Sequence, residues 1–520
     1  MTGADRLCDA LLAHRIDVCF ANPGTSEMHF VAALDRRPEM RCVLGLFEGV
    51  VTGAADGYGR MADKPAATLL HTGPGLANGL ANLHNARRAL TPIVNVVGDH
   101  AAYHLPYDAP LTSDIDALAG AMSNWVHRIS GPDDVAPAAA AAHREAVSRP
   151  GIATLILPAD AAWSQPHQPD TGPPIVTTHV RLPAVDRHRI RAVADALRGA
   201  KGRCGLIIAG PAARSGPLEA AGRIAAATGA RLFGGMFIAR LERGRGRVPI
   251  ERIPYPVDEA VAALADIDVL VLVAASAPVA FFAYPGKPSA LTRPDAQVIT
   301  LALPGEDAVE AIAALADELR ARSAPREPSA SALPNGRLSG PLTDAGISAA
   351  VAHLLPEQAI LIDEALTSAR AVYDMTRDAP PHDFLMACTG GAIGAGPPVA
   401  TGAALACPDR KVLALQADGS GLYTAQALWT QAREQLDVVT IIYANRAYAI
   451  LQIEMRNVGV EQFGRNADRM LRLDDPVVDW VALANGMGVE GASVDSCEGF
   501  YALLEYALSR QGPFLIEAVI

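Results

Sequence analysis

The chain has 520 residues, half of them hydrophobic, and a net charge of −12. Such a length exceeds what one hydrophobic core supports and calls for two or three domains. The negative balance, without a run of like charge, argues against nucleic acid or an anionic membrane as a main partner; a small anionic substrate stays compatible with a locally positive site.

The first block alternates short apolar runs with helical stretches. Val18–Ala21 reads as a strand, broken by Asn22-Pro23-Gly24, and Ser26–Leu34 as a helix. Strands at Arg41–Phe47, Ala67–His71 and Ile93–Val97 are separated by helices at Gly49–Met61 and Leu76–Leu90. The pattern returns in a middle block, with strands at Gly205–Ala209, Val269–Val273 and Gln297–Leu301 and a helix at Glu219–Thr228. A last block has strands at Lys411–Gln416 and Val438–Tyr443, a helix at Thr424–Gln435, and a final strand at Phe514–Val519. Strand–helix alternation predicts parallel sheets with helices on both faces. Two Pro- and Ser- or Gln-rich stretches, 164–174 and 323–342, read as linkers. The expected architecture is therefore α/β, three consecutive doubly wound parallel-sheet domains at about 1–165, 175–322 and 343–520.

Seven cysteines form no CxxC pair and lie mostly in apolar runs, which predicts buried free thiols in a reducing, cytoplasmic compartment. The N-terminus lacks a cationic head followed by an apolar core, so no signal peptide is expected. The longest apolar stretch, Val269–Tyr284, contains Ser276 and Pro278 and is short for a membrane span.

Two strand ends in the last block carry the chemistry. Asp418 follows one strand and Asn445 the next, with a helix between. A right-handed parallel strand–helix–strand unit brings both oxygens out at one sheet edge. A carboxylate, an amide oxygen and a nearby backbone carbonyl suit Mg²⁺, which takes its remaining ligands from phosphate and water. Alone, Asp418-Gly419-Ser420 is also an ordinary Asp-Gly turn. The glycine, however, lets backbone N–H groups approach a diphosphate at a helix N-terminus.

Glu48 begins a helix beside Phe47, Val50 and Val51. It is either a first-turn carboxylate favoured by the dipole or an acid of raised pKa that shares a proton with a ring nitrogen. His71 ends a strand at the ligand-binding edge of a parallel sheet and could relay protons near neutral pH. A competing pattern starts just after it. Gly73-x-Gly75-x-x-x-Gly79, with Asp99 at the end of the next strand, approaches a dinucleotide fingerprint and supports an NAD- or FAD-linked oxidoreductase. That reading leaves Asp418 and Asn445 without a role.

With these residues placed, the chain resembles thiamine-diphosphate enzymes of the acetolactate synthase, benzoylformate decarboxylase and pyruvate oxidase group. The likeness is strongest at Asn22–Glu27, Glu48 with Ala55–Arg60, His71–Asn78, Gly390–Gly402 and Asp418–Asn445. It implies a pyrimidine-binding, a central and a diphosphate-binding domain, in that order. It implies Mg²⁺ held by Asp418, Asn445 and the Ala447 carbonyl, and thiamine diphosphate contacted by Asn22, Pro23, Gly24, Glu48, Thr367, Gly391, Ile393, Gly419, Ser420 and Tyr448. Glu48 would bond the pyrimidine ring nitrogen and promote formation of the ylid that attacks a 2-oxo acid. CO₂ loss would leave an enamine for transfer to a carbonyl acceptor. Ile393 would bend the cofactor, and Thr25 and His71 would face the substrate. A homodimer or homotetramer is implied, because Glu48 and Asp418 of this family meet across a subunit interface.

The chain departs from the family pattern in places. Ala417 replaces a glycine, Arg446 an asparagine, and Ile453 an aromatic that helps synthases choose the second 2-oxo acid. Phe281-Phe282-Ala283-Tyr284 lacks the decarboxylase-branch histidine, while the 99–108 loop offers Asp99, His100, His104 and Asp108 as solvated or substrate-facing groups. The central block shows no clear flavin contacts, so FAD is permitted but not expected. The reading is a 2-oxo acid decarboxylating carboligase, acetolactate synthase-like, with a benzoylformate-type decarboxylase as the alternative.

Overall fold

The computed structural model describes residues 1–167, 180–322 and 333–520. The expected linkers at 164–174 and 323–342 fall in part outside the described residues. The first stretch carries β1 (Val18–Asn22), β2 (Arg41–Leu44), β3 (Ala66–Leu70), β4 (Ile93–Asp99), β5 (Trp125–Arg128) and β6 (Ile152–Pro158). Next come β7 (Cys204–Ile208), β8 (Arg231–Gly234), β9 (Leu241–Arg243), β10 (Glu251–Arg252), β11 (Val269–Val273) and β12 (Gln297–Ala302). The last stretch carries β13 (Ile360–Glu364), β14 (His382–Met386), β15 (Val412–Ala417), β16 (Val438–Ala444), β17 (Glu490–Val494) and β18 (Phe514–Val519).

These strands form three sheets with orders β2-β1-β3-β4-β6-β5, β10-β8-β7-β11-β12 and β17-β18-β16-β15-β13-β14-β9. The first two are parallel throughout. The third departs from a purely parallel sheet. β9, from the middle stretch, pairs antiparallel with β14 and covers its edge. Arg243 of β9 anchors the joint, stacking on Tyr373 at 3.8 Å and donating to the Tyr373 carbonyl at 2.5 Å. A three-residue strand carries no readable period, and its pairing follows from an edge that would otherwise expose unpaired backbone groups.

The helix Glu48–Ala62 ties the first sheet to the third. All residues from Glu48 to Met61 are buried, and the sequence there is rich in glycine and alanine. Glycine inside a helix costs about 0.5–1 kcal/mol relative to alanine, and the reason it stands here is contact. A Cβ on Gly57 would lie 2.0 Å from the Val399 carbonyl oxygen, and one on Gly402 would lie 1.8 Å from that of Ala54. The partner helix, Gly396–Ala406, starts with Pro397 and Pro398, whose fixed φ pre-organises its first turn. Val51, Ala54 and Tyr58 share one continuous core with Val399, Ala400 and Ala403. Among the described residues no helix is long and apolar enough to cross a membrane.

Candidate active site

β15 and β16 are neighbours, with Ala417 in register with Tyr443. Asp418 and Asn445 therefore leave the sheet at the same edge. The Arg446 N–H donates to Asp418 Oδ2 at 2.6 Å and joins the two loops, while Gly419 N–H donates to Oδ1 at 2.7 Å. Ala447 N–H donates to Asn445 Oδ1 at 3.0 Å, and Asn445 Nδ2 donates to Ser368 Oγ at 3.3 Å. Arg446 adopts a left-handed φ of +54°, turning the chain there. Asp418 is 6 % exposed. Burial pushes its carboxyl up, against the opposing backbone donors of Arg446 and Gly419.

Among the described residues Asp418 makes no direct ion pair, although the Arg446 charge also opposes the rise of its carboxyl, and no cluster of three His, Cys, Asp or Glu groups that could hold a metal ion exists there. A buried carboxylate with no direct ion pair among the described residues, one amide oxygen and the Ala447 carbonyl fit a hard divalent ion. Gly419 makes the approach possible: a Cβ there would lie 2.6 Å from Tyr448 Cε1 and 2.9 Å from Leu473 Cδ1. Ser420, 1 % exposed, accepts a short hydrogen bond from Gln416 Nε2. Thr367 lies half-buried in the turn after β13, beside Ser368.

The glycine loop after β14 faces this edge. Gly391 and Gly394 hold φ of +83° and +89°, and half-buried Ile393 sits between them. Asn85 of the first domain clamps the loop: its Oδ1 accepts from Gly390 N–H at 2.9 Å and its Nδ2 donates to the Ala392 carbonyl at 2.7 Å. Thr424 Oγ1 donates to the Gly394 carbonyl at 2.7 Å. That bond belongs to an irregular turn, which is why the expected Thr424–Gln435 helix begins only at Ala427. Phe281 of the middle stretch closes on Gly391, where a Cβ would lie 2.5 Å from its Cζ.

At the first sheet's edge, β1 ends in Asn22, and Pro23 and Gly24 lead into a short turn, Thr25–Glu27. Thr25 is exposed, whereas Glu27 is 2 % exposed. His71 Nδ1 lies 2.9 Å from Glu27 Oε2 and 3.2 Å from Ser26 Oγ. Its Nε2 has no partner among the described residues. Gly24 is required here, since a Cβ would fall 2.2 Å from the His71 ring. Glu48 is buried at the helix start and accepts from Asn78 Nδ2 at 3.0 Å. A Cβ on Gly75 would meet Glu48 Oε1 at 3.1 Å and His71 Cβ at 3.4 Å, so Glu48 and His71 flank one glycine. Within one chain no hydrogen bond or ion pair among the described residues joins Glu48 to the Asp418 turn.

The dinucleotide pattern has another explanation. Gly73 makes room for Ser113, Gly75 for Glu48 and Gly79 for Thr52. Asp99 is committed to Arg128 at 2.5 Å and to the His100 N–H at 2.7 Å, which leaves it no reach for a ribose. The His100 and His104 rings lie 5.5 Å apart and tilted by 54°, near the exposed Tyr103 and Tyr107.

Sequence reasoning gave no role to Glu27, Asn85, Ser368 or Glu364. Only Glu27 left a signal: an acid three residues after Gly24, whose N–H donates to it at 2.8 Å as in a capping box.

Comparison with known proteins agrees with this geometry. Residues 1–124 match the thiamine pyrophosphate enzyme N-terminal TPP binding domain, and residues 367–518 the corresponding C-terminal TPP binding domain. A protein of Mycobacterium tuberculosis, provisionally named acetolactate synthase large subunit IlvX, is 50% identical over 100% of this chain and 99% of its own. Benzoylformate decarboxylase of Pseudomonas aeruginosa is 27% identical over 98% of this chain and 97% of its own. The fold is shared with the thiamine diphosphate-dependent 4-hydroxybenzoylformate decarboxylase of Rhodococcus jostii RHA1, at TM-score 0.88 and 23% identity, covering 100% of this chain and 99% of that one. Benzoylformate decarboxylase from Polynucleobacter necessarius superposes at TM-score 0.85 and 23% identity, covering 100% and 98%. The chain belongs to the thiamine pyrophosphate enzyme family, in its acetolactate synthase and benzoylformate decarboxylase group.

Proposed function

We propose that this protein is a cytoplasmic, Mg²⁺- and thiamine-diphosphate-dependent carboligase that decarboxylates a 2-oxo acid and transfers the remainder to a carbonyl acceptor. The observation that carries the reading is the buried Asp418 carboxylate, tied by the Arg446 N–H to the Asn445 loop and without a direct ion pair among the described residues. Asp418, Asn445 and the Ala447 carbonyl would hold the metal, and Gly419, Ser420, Thr367 and Tyr448 would line the diphosphate. Bound thiamine diphosphate would supply a carbon nucleophile and an electron sink. Ile393 would press an apolar side chain against the cofactor, with Gly391 shaping the loop that carries it. Glu48 would hold a proton at a pyrimidine ring nitrogen, near Asn22, Pro23 and Gly24.

His71 is suited to move a proton at its Nε2. Glu27 holds Nδ1, which sets the tautomer and orients the ring. Thr25 would face the same substrate space. In keeping with the family resemblance, in which these two groups meet across a subunit interface, the proposed site draws its Glu48 from a second copy, in a homodimer or homotetramer.

A second reading, simple decarboxylation in the benzoylformate manner, is favoured by the aromatic wall over the glycine loop. Phe281 packs against Phe237 at 5.5 Å, Tyr255 at 5.6 Å and Phe282 at 4.7 Å, and Phe282 is 56 % exposed. Such a surface suits an aryl 2-oxo acid. Calorimetry with thiamine diphosphate, with and without Mg²⁺, tests the site: binding should require the metal and vanish in Asp418→Ala. Incubation with pyruvate and with an aryl glyoxylate then separates the readings by product, an acyloin for the first and an aldehyde for the second. Cofactor binding that ignores both metal and Asp418 would refute the site.

A further inference from the structure

Glu364 ends β13 at the same sheet edge, 1 % exposed, and none of the proposed chemistry employs it. Its Oε1 accepts from Gly394 N–H at 2.5 Å, and its Oε2 takes a shorter bond from Gly396 N–H. These two donors flank Ala395 and sit directly after Ile393. No cationic side chain reaches the carboxylate among the described residues; the loop backbone is its counter-group. On its other side lies Gln416. A Cβ on Gly396 would fall 2.0 Å from Gln416 Oε1 and 3.1 Å from Glu364 Oε2, so acid and amide bracket this glycine together. The Gln416 Nε2 in turn donates to Ser420 Oγ. One buried acid thus holds the Ile393 loop directly and reaches the Asp418–Ser420 turn through Gln416.

We propose that Glu364 is a positioning residue for thiamine diphosphate: its carboxylate holds the Ile393 loop by two backbone N–H groups and, through Gln416, sets that loop in register with the diphosphate turn. This rests on the cofactor reading given above. The arrangement runs against the group's own solvation. Burial pushes the Glu364 carboxyl up to about 7, with the Gly394, Gly396 and Ala395 N–H groups and Gln416 opposing. Asp363 precedes it on the same strand, and the two carboxyls add to burial in pushing the Cys388 thiol up, with Arg60 opposing. Arg252 faces Asp363 at 4.0 Å. A carboxyl raised in the folded state favours the protonated form. Its contribution to stability is full below the unfolded value of about 4.5 and is lost as pH rises through about 7. The ionised acid therefore costs stability above neutrality and, in the same state, accepts both loop N–H groups. That is the balance expected of a group kept for geometry rather than for stability.

The test compares the full-length wild type with Glu364→Gln and Gln416→Leu. An amide can accept from one loop N–H but presents its NH₂ to the other. Glu364→Gln should weaken thiamine diphosphate binding in excess Mg²⁺ at least tenfold by calorimetry. Without cofactor it should match or exceed wild-type Tm at pH 8 and lose the fall in Tm that wild type shows between pH 6 and 8. Gln416→Leu, which leaves the carboxylate and its loop bonds in place, should weaken cofactor binding while retaining that pH dependence. Wild-type cofactor affinity in Glu364→Gln overturns the proposal, as does a parallel loss of affinity and of Tm at every pH, the mark of a merely structural residue. Absence of binding by the wild type removes the cofactor reading itself and this proposal with it.

Discussion

Arg60 and Asp56 form a buried pair on the helix that begins with Glu48, with side chains 2% and 1% exposed. The guanidinium grips Asp56 with two nitrogens, Nε at 2.8 Å from Oδ1 and Nη2 against Oδ2. It also donates to the Met386 carbonyl at 2.7 Å, the Ala387 carbonyl at 3.3 Å and Thr389 Oγ1 at 3.2 Å. One side chain thereby fastens the first domain's helix to the segment that leads into the glycine loop. In Arg60→Ala, Asp56 would keep only the Thr91 hydroxyl, which donates at 2.6 Å, and its charge would stay buried. Breaking a buried pair from one side costs about 3–5 kcal/mol. At roughly 2–4 °C per kcal/mol for a unit of 150–250 residues, the first thermal transition should fall by about 6–20 °C. Circular dichroism at pH 7 measures it. Arg60→Lys keeps the charge without the fork and should fall between the two. The double variant Asp56→Leu with Arg60→Met removes both charges at similar volume and should recover part of the loss. A fall below about 3 °C for Arg60→Ala, or a double variant worse than the single, would show that the pair is not the clamp described.

Close packing of the two central helices predicts that Gly57→Ala and Gly402→Ala each lose about 1–3 kcal/mol or more, since the new methyl meets backbone carbonyl oxygen rather than a movable side chain; denaturant titration checks this. Gly24→Ala should displace His71 and lower kcat on the 2-oxo acid about 10²-fold, which steady-state decarboxylation assays measure. Glu48→Gln should leave cofactor binding largely intact while slowing exchange of the thiazolium C2 proton, which proton NMR follows; unchanged exchange would remove its assigned role. Chelation with EDTA should release thiamine diphosphate from the wild type on dialysis, and Mg²⁺ should restore binding.

Much of the Asp418–Asn445 edge was legible in the sequence. A parallel strand–helix–strand unit has one handedness, so the order of apolar runs alone puts Asp418 and Asn445 on one edge. The glycines after them likewise announce a close approach of backbone to something. Burial of the Glu48–Ala62 helix was not legible in the same way. Its Gly- and Ala-rich sequence shows small residues, but only the opposing Val399 and Ala54 carbonyls reveal what they make room for.

What the tertiary structure alone decided is which lone polar groups meet. Glu364, Asn85 and Ser368 stand in ordinary strand ends, helices and turns and carry no period or motif. Their partners, Gly394, Gly390 and Asn445, are remote in sequence: the first and last approach through pairing and packing within the third sheet, and Gly390 meets Asn85 only when the first and third domains pack. The same holds for the false dinucleotide pattern: Gly73, Gly75 and Gly79 have the spacing of a phosphate turn, and only the packing shows Ser113, Glu48 and Thr52 in the space they leave. Local patterning records the direction in which a chain runs and which face it buries, because both repeat along the sequence. A contact between two single side chains repeats nowhere, and so it becomes visible only in the folded molecule.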